Sequence, residues 1–248
     1  MKKKKYLFLG VTLCAVFIVL LTAYMTTSYL IDIETADNII TIGNVEASID
    51  ESPFDPESVY PADAGTVIEK APKVKNTGIN DEYVFLTVEV PKKKVTFLLE
   101  SGANTGKKDS GTNPRKAQIF KVLSGGGIID NLSGSDVTFS YHGYFNSLPG
   151  WYLVDSNTTG ADFDVYTFGY NKKLSSNEES IVLFDKIQLK SFIDEELGSS
   201  NNLSINVKAY AIQADNLNLS TSPGDYLTDG VNGQIKEIYN IVKNKAGA

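Results

Sequence analysis

The sequence predicts an all-β fold, a jelly-roll-like β-sandwich with a short C-terminal helix. The apolar runs after residue 37 are short, rich in β-branched and aromatic residues, and separated by clusters of Gly, Asn, Asp, Ser and Pro. Several runs alternate with a period of two, so that Leu203, Ile205, Val207 and Ala209 share one face of a strand. Eight or nine such segments in one chain are typical of two packed sheets.

The candidate strands follow one another along most of the chain. They cover residues 38–49, 82–90, 95–100, 118–123, 136–142, 150–155, 162–170, 180–192 and 203–214. We expect them to form a single domain over residues 38–248.

Two segments depart from the strand pattern. Residues 100–116 are polar and rich in Gly, Ser and Asn, which predicts a mobile surface loop or insertion. Residues 233–245 place Ile235, Ile238, Tyr239 and Val242 at helical spacing. This spacing predicts a short amphipathic helix that packs on the sandwich through its apolar stripe.

The N-terminus has the pattern of an export signal. Lys2 to Lys5 precede an apolar run over residues 6–24, which ends on small residues. We expect residues 1–23 to be a signal peptide, with cleavage next to Ala23 and Tyr24. An uncleaved membrane anchor is the alternative, because the run is close to the ~20 residues that span a bilayer. Cys14 follows Leu13 in the middle of the run, which disfavours a lipoprotein.

The composition of the exported part excludes some classes of function. Beyond residue 23 the chain keeps 19 basic and 30 acidic residues, a net charge of −11, so a general nucleic-acid binder is excluded. No cysteine remains after cleavage, and therefore the domain must be stabilised by its core rather than by disulfides.

No catalytic or cofactor constellation emerges from the sequence. His142 is the only histidine and has no cysteine near it, so a zinc-peptidase site cannot be built around it. The segment 102–108, GANTGKK, has one residue too few between its glycines for a phosphate-binding loop. The acidic pairs Asp130 with Asp136 and Asp162 with Asp164 leave a calcium loop open as an alternative, although neither has an established spacing. We therefore expect no enzyme, no cofactor and no metal.

An ordered set of segments carries a resemblance to a known family. Near the N-terminus these are TAYMTT (22–27), IITIGNVEASIDE (39–51) and APKVKNTGINDEYVFLTVEVP (71–91). Further along they are WYLV (151–154), YNKKLSSNEESIVLFDKIQL (170–189) and VKAYAIQA (207–214). In this order the segments resemble the TasA/camelysin family, and the likeness covers most of the chain apart from residues 100–116.

The resemblance implies a secreted protein of a Gram-positive bacterium, located in the extracellular matrix or at the cell surface. It implies release by a signal peptidase of the SipW type and assembly with itself into a biofilm matrix fibre, and it leaves open which minor proteins anchor that fibre. Camelysin-like members imply a cell-surface metallopeptidase as the alternative, which no residue motif here supports. A monomeric surface or adhesive β-domain tethered by its N-terminal helix is a further alternative.

The segment 24–37 is the candidate for the assembly element. In an extended chain Tyr29, Ile31 and Ile33 lie on one face, opposite a mostly polar face. The resemblance implies that such a strand is donated to the next subunit, which would give a head-to-tail contact that does not close. An intramolecular edge strand or a disordered leader are the alternatives for this segment.

Overall fold

A computed structural model describes most of the chain beyond its N-terminus. The described residues are 30–31, 39–42, 45–55, 60–61, 63–102, 105–109, 111, 114–134, 136–145, 148–193, 196–197, 203–230 and 232–246. The predicted signal peptide, the cleavage residues Ala23 and Tyr24, and the donor-strand residues Tyr29 and Ile33 lie outside them.

The described chain contains fifteen strands and one helix. The strands are β1 (Leu30–Ile31), β2 (Ile39–Ile42), β3 (Ala47–Asp50), β4 (Tyr60–Pro61), β5 (Val67–Glu69), β6 (Lys73–Asn76), β7 (Glu82–Val95), β8 (Arg115–Gln118), β9 (Phe120–Leu123), β10 (Ile129–Ser133), β11 (Thr138–His142), β12 (Trp151–Asn157), β13 (Phe163–Tyr170), β14 (Lys186–Leu189) and β15 (Asn206–Gln213). The helix is α1 (Gln234–Ala246). No described helix has the length and apolar character that a membrane crossing needs.

Two sheets pack face to face, which confirms the predicted β-sandwich. One sheet has the order β10-β11-β9-β14-β5, and the other has the order β12-β13-β7-β15-β2 with β8 paired to the far end of β7. Most neighbours are antiparallel, but β9 pairs parallel to β11 and β2 pairs parallel to β15. Two small ribbons, β1 with β4 and β3 with β6, complete the described sheets.

The long strand β7 contributes to two apolar clusters because its side chains alternate between its two faces. Val84, Leu86 and Val88 are fully buried between the sheets. Tyr83 and Phe85 belong to a second cluster with the apolar residues of α1. The middle strand of the larger sheet is therefore covered on both sides.

The helix α1 covers the outer face of the larger sheet, as the helical spacing predicts. Ile235, Ile238 and Val242 are buried there. The backbone N–H of Gln234 donates to the Thr228 hydroxyl at 3.1 Å, which caps the first turn. The helix lies close to the sheet because Gly169 has no side chain: a Cβ there would stand 2.5 Å from the Ile235 side chain.

Several strand predictions were wrong in their limits. The predicted strand 38–49 is two strands, because β2 pairs with β15 whereas β3 pairs with β6. The predicted strand 95–100 makes only bridges at Phe97 and Leu98, since β7 itself continues to Val95 by pairing with β8. Of residues 180–192 only β14 is a strand, and 118–123 is interrupted at Ile119. The strands β4, β5, β6 and β10 were missed, and β8 begins at Arg115, inside the predicted loop 100–116.

The N-terminal segment pairs within its own chain. The backbone of Leu30–Ile31 runs antiparallel to Tyr60–Pro61, with Ile31 opposite Tyr60. This ribbon is only two residues long on each strand. The described residues near 100–116 lie at the surface, and Leu99 N–H donates to the Lys107 carbonyl at 2.9 Å across the base of a turn.

Candidate functional site: the open side of the sandwich

On one side of the sandwich, no described strand closes the gap between the two sheets. β10 and β12 are the end strands of their sheets, and residues of both line a cavity of about 570 Å³ between them. Among the described strands, none pairs with the outer edge of β10, and the outer edge of β12 meets only a bridge between Gly143 and Trp151. We call this region the open side.

Three apolar side chains are only partly covered at the open side. Leu132 on β10, Val137 beside β11 and Leu153 on β12 all line the cavity. They pack against the inter-sheet core and remain partly buried. Covering such side chains completely contributes roughly 25 cal/mol for each Å² of apolar surface removed from water. The open side can therefore bind an apolar segment.

The inner part of the cavity is polar and ordered by hydrogen bonds. Lys92 Nζ lies 2.7 Å from Asp164 Oδ1 and donates to the Thr158 carbonyl at 3.0 Å. Gln118 Nε2 donates to Asp164 Oδ2 and to the Tyr166 hydroxyl, both at 2.8 Å. Burial, followed by the nearby Asp164 charge, raises the pKa of Tyr166 to about 12.

Gln118 leaves one hydrogen-bonding group unused. Its side chain is 1% exposed, and its Oε1 has no hydrogen-bond partner among the described residues. A buried acceptor in this state costs about 1–3 kcal/mol. This acceptor lies beneath the polar end of the cavity and is sealed from solvent.

The two edges that border the cavity differ in how they are protected. β12 has a register shift between Leu153 and Asp155, and Lys236 of α1 donates to the Val154 carbonyl. Lys243 Nζ, also on α1, lies 3.0 Å from Asp155 Oδ2 on β12. Bulges and charged side chains of this kind hinder the pairing of an edge with another strand. β10 has no described bulge, so it is the edge that is better able to accept a strand.

The structure gives most of the acidic residues named from the sequence a partner within the chain. Arg115 Nη2 lies 2.9 Å from Asp136 Oδ1, and Lys116 Nζ lies 3.0 Å from Asp162 Oδ1. Asp164 forms an ion pair with Lys92. Three of the four aspartates that the sequence left open as part of a calcium loop are therefore engaged in ion pairs. Within the described residues, no group of three or more His, Cys, Asp or Glu could hold a metal ion.

His142 has a carboxylate partner and no second histidine. Its Nε2 lies 3.0 Å from Asp185 Oδ1, and the ring is largely buried. Gly125 N–H donates to the other oxygen of Asp185 at 2.5 Å. The pair joins β11 to the residues that precede β14.

The residues that form the open side were not singled out from the sequence. Leu132 lies in DNLSG, a short polar stretch with no clear alternation. Gln118 was placed in a strand, but a single sequence does not indicate that its amide meets Asp164, which is 46 residues away. Leu153 lies in the predicted strand 150–155, but the continuous apolar run WYLV does not show which of its side chains stays partly exposed.

Comparison with known proteins gave no relative for this chain: no protein-family model, no curated protein and no solved structure matches it.

Proposed function

We propose that the chain is a secreted structural subunit of an extracellular or biofilm matrix fibre, which assembles head-to-tail by N-terminal donor-strand complementation. The observation that carries this proposal is the open side, where partly covered apolar residues border an unpaired edge strand. The ordered resemblance to the TasA/camelysin family supports it from the sequence.

The donated strand would come from residues 24–37 of a neighbouring copy. Tyr29, Ile31 and Ile33 would cover Leu132, Val137 and Leu153, while main-chain groups pair with β10. Each large apolar side chain that becomes fully buried contributes roughly 1.5–3 kcal/mol. Three such residues contribute about 4.5–9 kcal/mol, which offsets the ordering of residues 29–33, at about 1–2 kcal/mol each, once the main-chain hydrogen bonds to β10 are added.

The pairing of this segment within its own chain is compatible with exchange. The ribbon of β1 with β4 pairs two residues on each side, so its release breaks few hydrogen bonds. Exchange of a segment between identical chains is a low-cost route to association, and a head-to-tail contact that does not close yields filaments. While the segment is joined to an uncleaved signal peptide, its donation is restricted, so that processing would precede assembly.

A double substitution on the apolar face of the donor segment tests the proposal. Ile31→Asp with Ile33→Asp places two charges where the neighbour's groove is apolar, which costs several kcal/mol. We expect the purified variant to be folded by circular dichroism but monomeric in sedimentation velocity. The parent should form filaments visible by negative-stain electron microscopy.

Ser28→Asp with Ala36→Asp is the matched control, because it adds the same two charges on the opposite face of the extended segment. The control should still form filaments. If the test and control variants polymerise alike, or if the parent stays monomeric at every concentration tried, the donor-strand proposal is wrong. A monomeric surface domain would then be the better description.

A further inference from the structure

A second cleft, distinct from the open side, combines aromatic rings with carboxylates. It has a volume of about 500 Å³ and opens where the chain after β11 meets the segment before α1. Tyr144 and Phe145 line it from the first of these segments, Tyr226 and Asp229 from the second, and Asp130 from β10. We call it the acidic aromatic cleft.

The rings form walls at steep angles to one another. The centroids of Tyr144 and Tyr152 are 5.9 Å apart, with the ring planes at 69°. Phe145 is 56% exposed, which is unusual for so large an apolar side chain and leaves its ring accessible to a ligand. Such an arrangement offers both ring faces and ring edges to a group that enters the cleft.

Each of the two carboxylates lies close to a tyrosine hydroxyl group. Tyr144 lies near Asp229, and the neighbouring Tyr141 lies near Asp130. Burial and then the adjacent carboxylate raise the pKa of Tyr144 well above its usual value, so the tyrosine remains a neutral donor. Neither aspartate forms an ion pair with a described Lys or Arg.

Charge within the cleft is therefore of one sign. The described lining contains no Lys or Arg, and the nearby Lys172 is paired with Glu178. Asp130 also lies against Gly143, where an added Cβ would stand 2.3 Å from its Oδ2. A glycine at this position thus allows the carboxylate to sit beside the turn that carries the aromatic residues.

We propose that the acidic aromatic cleft binds an alkylammonium group, either a free polyamine or the lysine side chain of a protein. A cation that carries an aliphatic stem can place its charge near Asp130 and Asp229 and its methylene groups against the rings of Tyr144, Tyr152 and Phe145. Aromatic faces attract ammonium groups through their quadrupole, and this attraction adds to the carboxylate charge. The site does not depend on polymerisation of the chain.

Other ligand classes fit the cleft less well. An anion would be repelled by both aspartates. A neutral sugar could stack on the rings, but it would gain nothing from two carboxylates without balancing cations. A divalent metal needs more oxygen ligands than the two separated carboxylates supply.

Titration of the full mature protein with defined probes tests this inference. The probes are spermidine, Nα-acetyl-lysine methylamide, which keeps its side-chain ammonium group, and methyl glucoside as a neutral comparison. Binding is measured by tyrosine chemical shifts and by calorimetry. We expect both ammonium probes to bind with a Kd on the order of 1 mM, weakened by added salt, and the glucoside not to bind. Tighter binding of spermidine indicates a polyamine as the source, whereas tighter binding of the lysine derivative indicates a protein side chain.

Asp229→Asn and its matched control Asp63→Asn remove the same charge at two exposed positions. We expect about a three- to tenfold weaker binding of ammonium for the first and no change for the second. Phe145→Ala should also weaken binding without a change in net charge. The inference is wrong if neither ammonium probe binds, if the glucoside binds as well as they do, or if both aspartate variants have the same effect.

Discussion

The outer face of the larger sheet and the open side present apolar residues that the chain covers to different degrees. On the outer face, α1 buries Phe85, Ile235 and Ile238 almost completely. At the open side, Leu132 and Leu153 keep part of their surface accessible, because no described element lies over them. The contrast separates apolar residues that stabilise the single chain from apolar residues that are available to a second one.

The largest loss of stability is expected on the covered face. Ile238→Ala removes a side chain that is 0% exposed beneath α1, and such truncations cost about 2–5 kcal/mol. Leu153→Ala, on the partly covered open side, should cost less than half of that. Urea unfolding of both monomers measures the difference. Equal losses would show that the open side is as much a part of the core as the helix interface.

Glu82 is a buried carboxyl group in the covered interior. Its side chain is 0% exposed, neither carboxylate oxygen has a hydrogen-bond partner among the described residues, and burial raises its pKa from 4.5 to about 8. Because the folded-state pKa lies above the unfolded one, the fold is favoured below pH 4.5 and this contribution is lost as the pH rises to 8. The loss amounts to roughly 1.4 kcal/mol for each pH unit within that window.

Glu82→Gln removes this titration. We expect the variant to be more stable than the parent near pH 8 and to differ little near pH 4.5. The exposed Glu69→Gln is the control, and it should show no comparable dependence on pH. Thermal unfolding of both variants and the parent between pH 4.5 and pH 8 tests the prediction. A difference in unfolding temperature between Glu82→Gln and the parent that stays constant over this range would contradict it.

A polar substitution at the open side should affect assembly more than folding. Leu132→Asn places an amide where the donated strand is expected to bury apolar side chains, so filaments should be lost. The monomer should lose only about 1 kcal/mol, because this leucine is already partly exposed. Ile79→Asn is the control, since Ile79 is 84% exposed and does not line the cavity. Sedimentation and unfolding of both variants compare the two effects.

The smallest effect is expected at His142. Loss of its hydrogen bond to Asp185 should cost about 1 kcal/mol or less and leave assembly unchanged. We also expect no chelator-sensitive hydrolysis of casein by the parent or by His142→Ala. Stoichiometric zinc with proteolysis that persists through rigorous purification would instead favour the metallopeptidase alternative.

Local patterns were sufficient to predict the covered regions. The helix follows from four apolar residues at helical spacing, and β15 follows from strict alternation over residues 203–211. Both signals lie within one segment and depend on burial of one face. The β-sandwich class follows from the number of such segments.

The open side and the acidic aromatic cleft could not be predicted in this way, because they depend on distant contacts. β10 is a polar edge strand, and only its pairing with β11 identifies it. Asp130, Tyr144 and Asp229 are brought together across about a hundred residues of chain. The division of residues 38–49 into two strands likewise depends on which sheet each half joins.

Disulfide trapping between separately purified copies tests the central claim most directly. The chain beyond residue 23 has no cysteine, so Ile31→Cys in one copy and Leu132→Cys in another introduce one thiol each. A disulfide requires the two Cα atoms to approach within about 7 Å. Ile79→Cys replaces Leu132→Cys as the control. We predict abundant disulfide-linked heterodimers when Ile31→Cys is mixed with Leu132→Cys and few when it is mixed with Ile79→Cys, whereas equal or absent cross-linking in the two mixtures would contradict donation of the N-terminal strand to the open side.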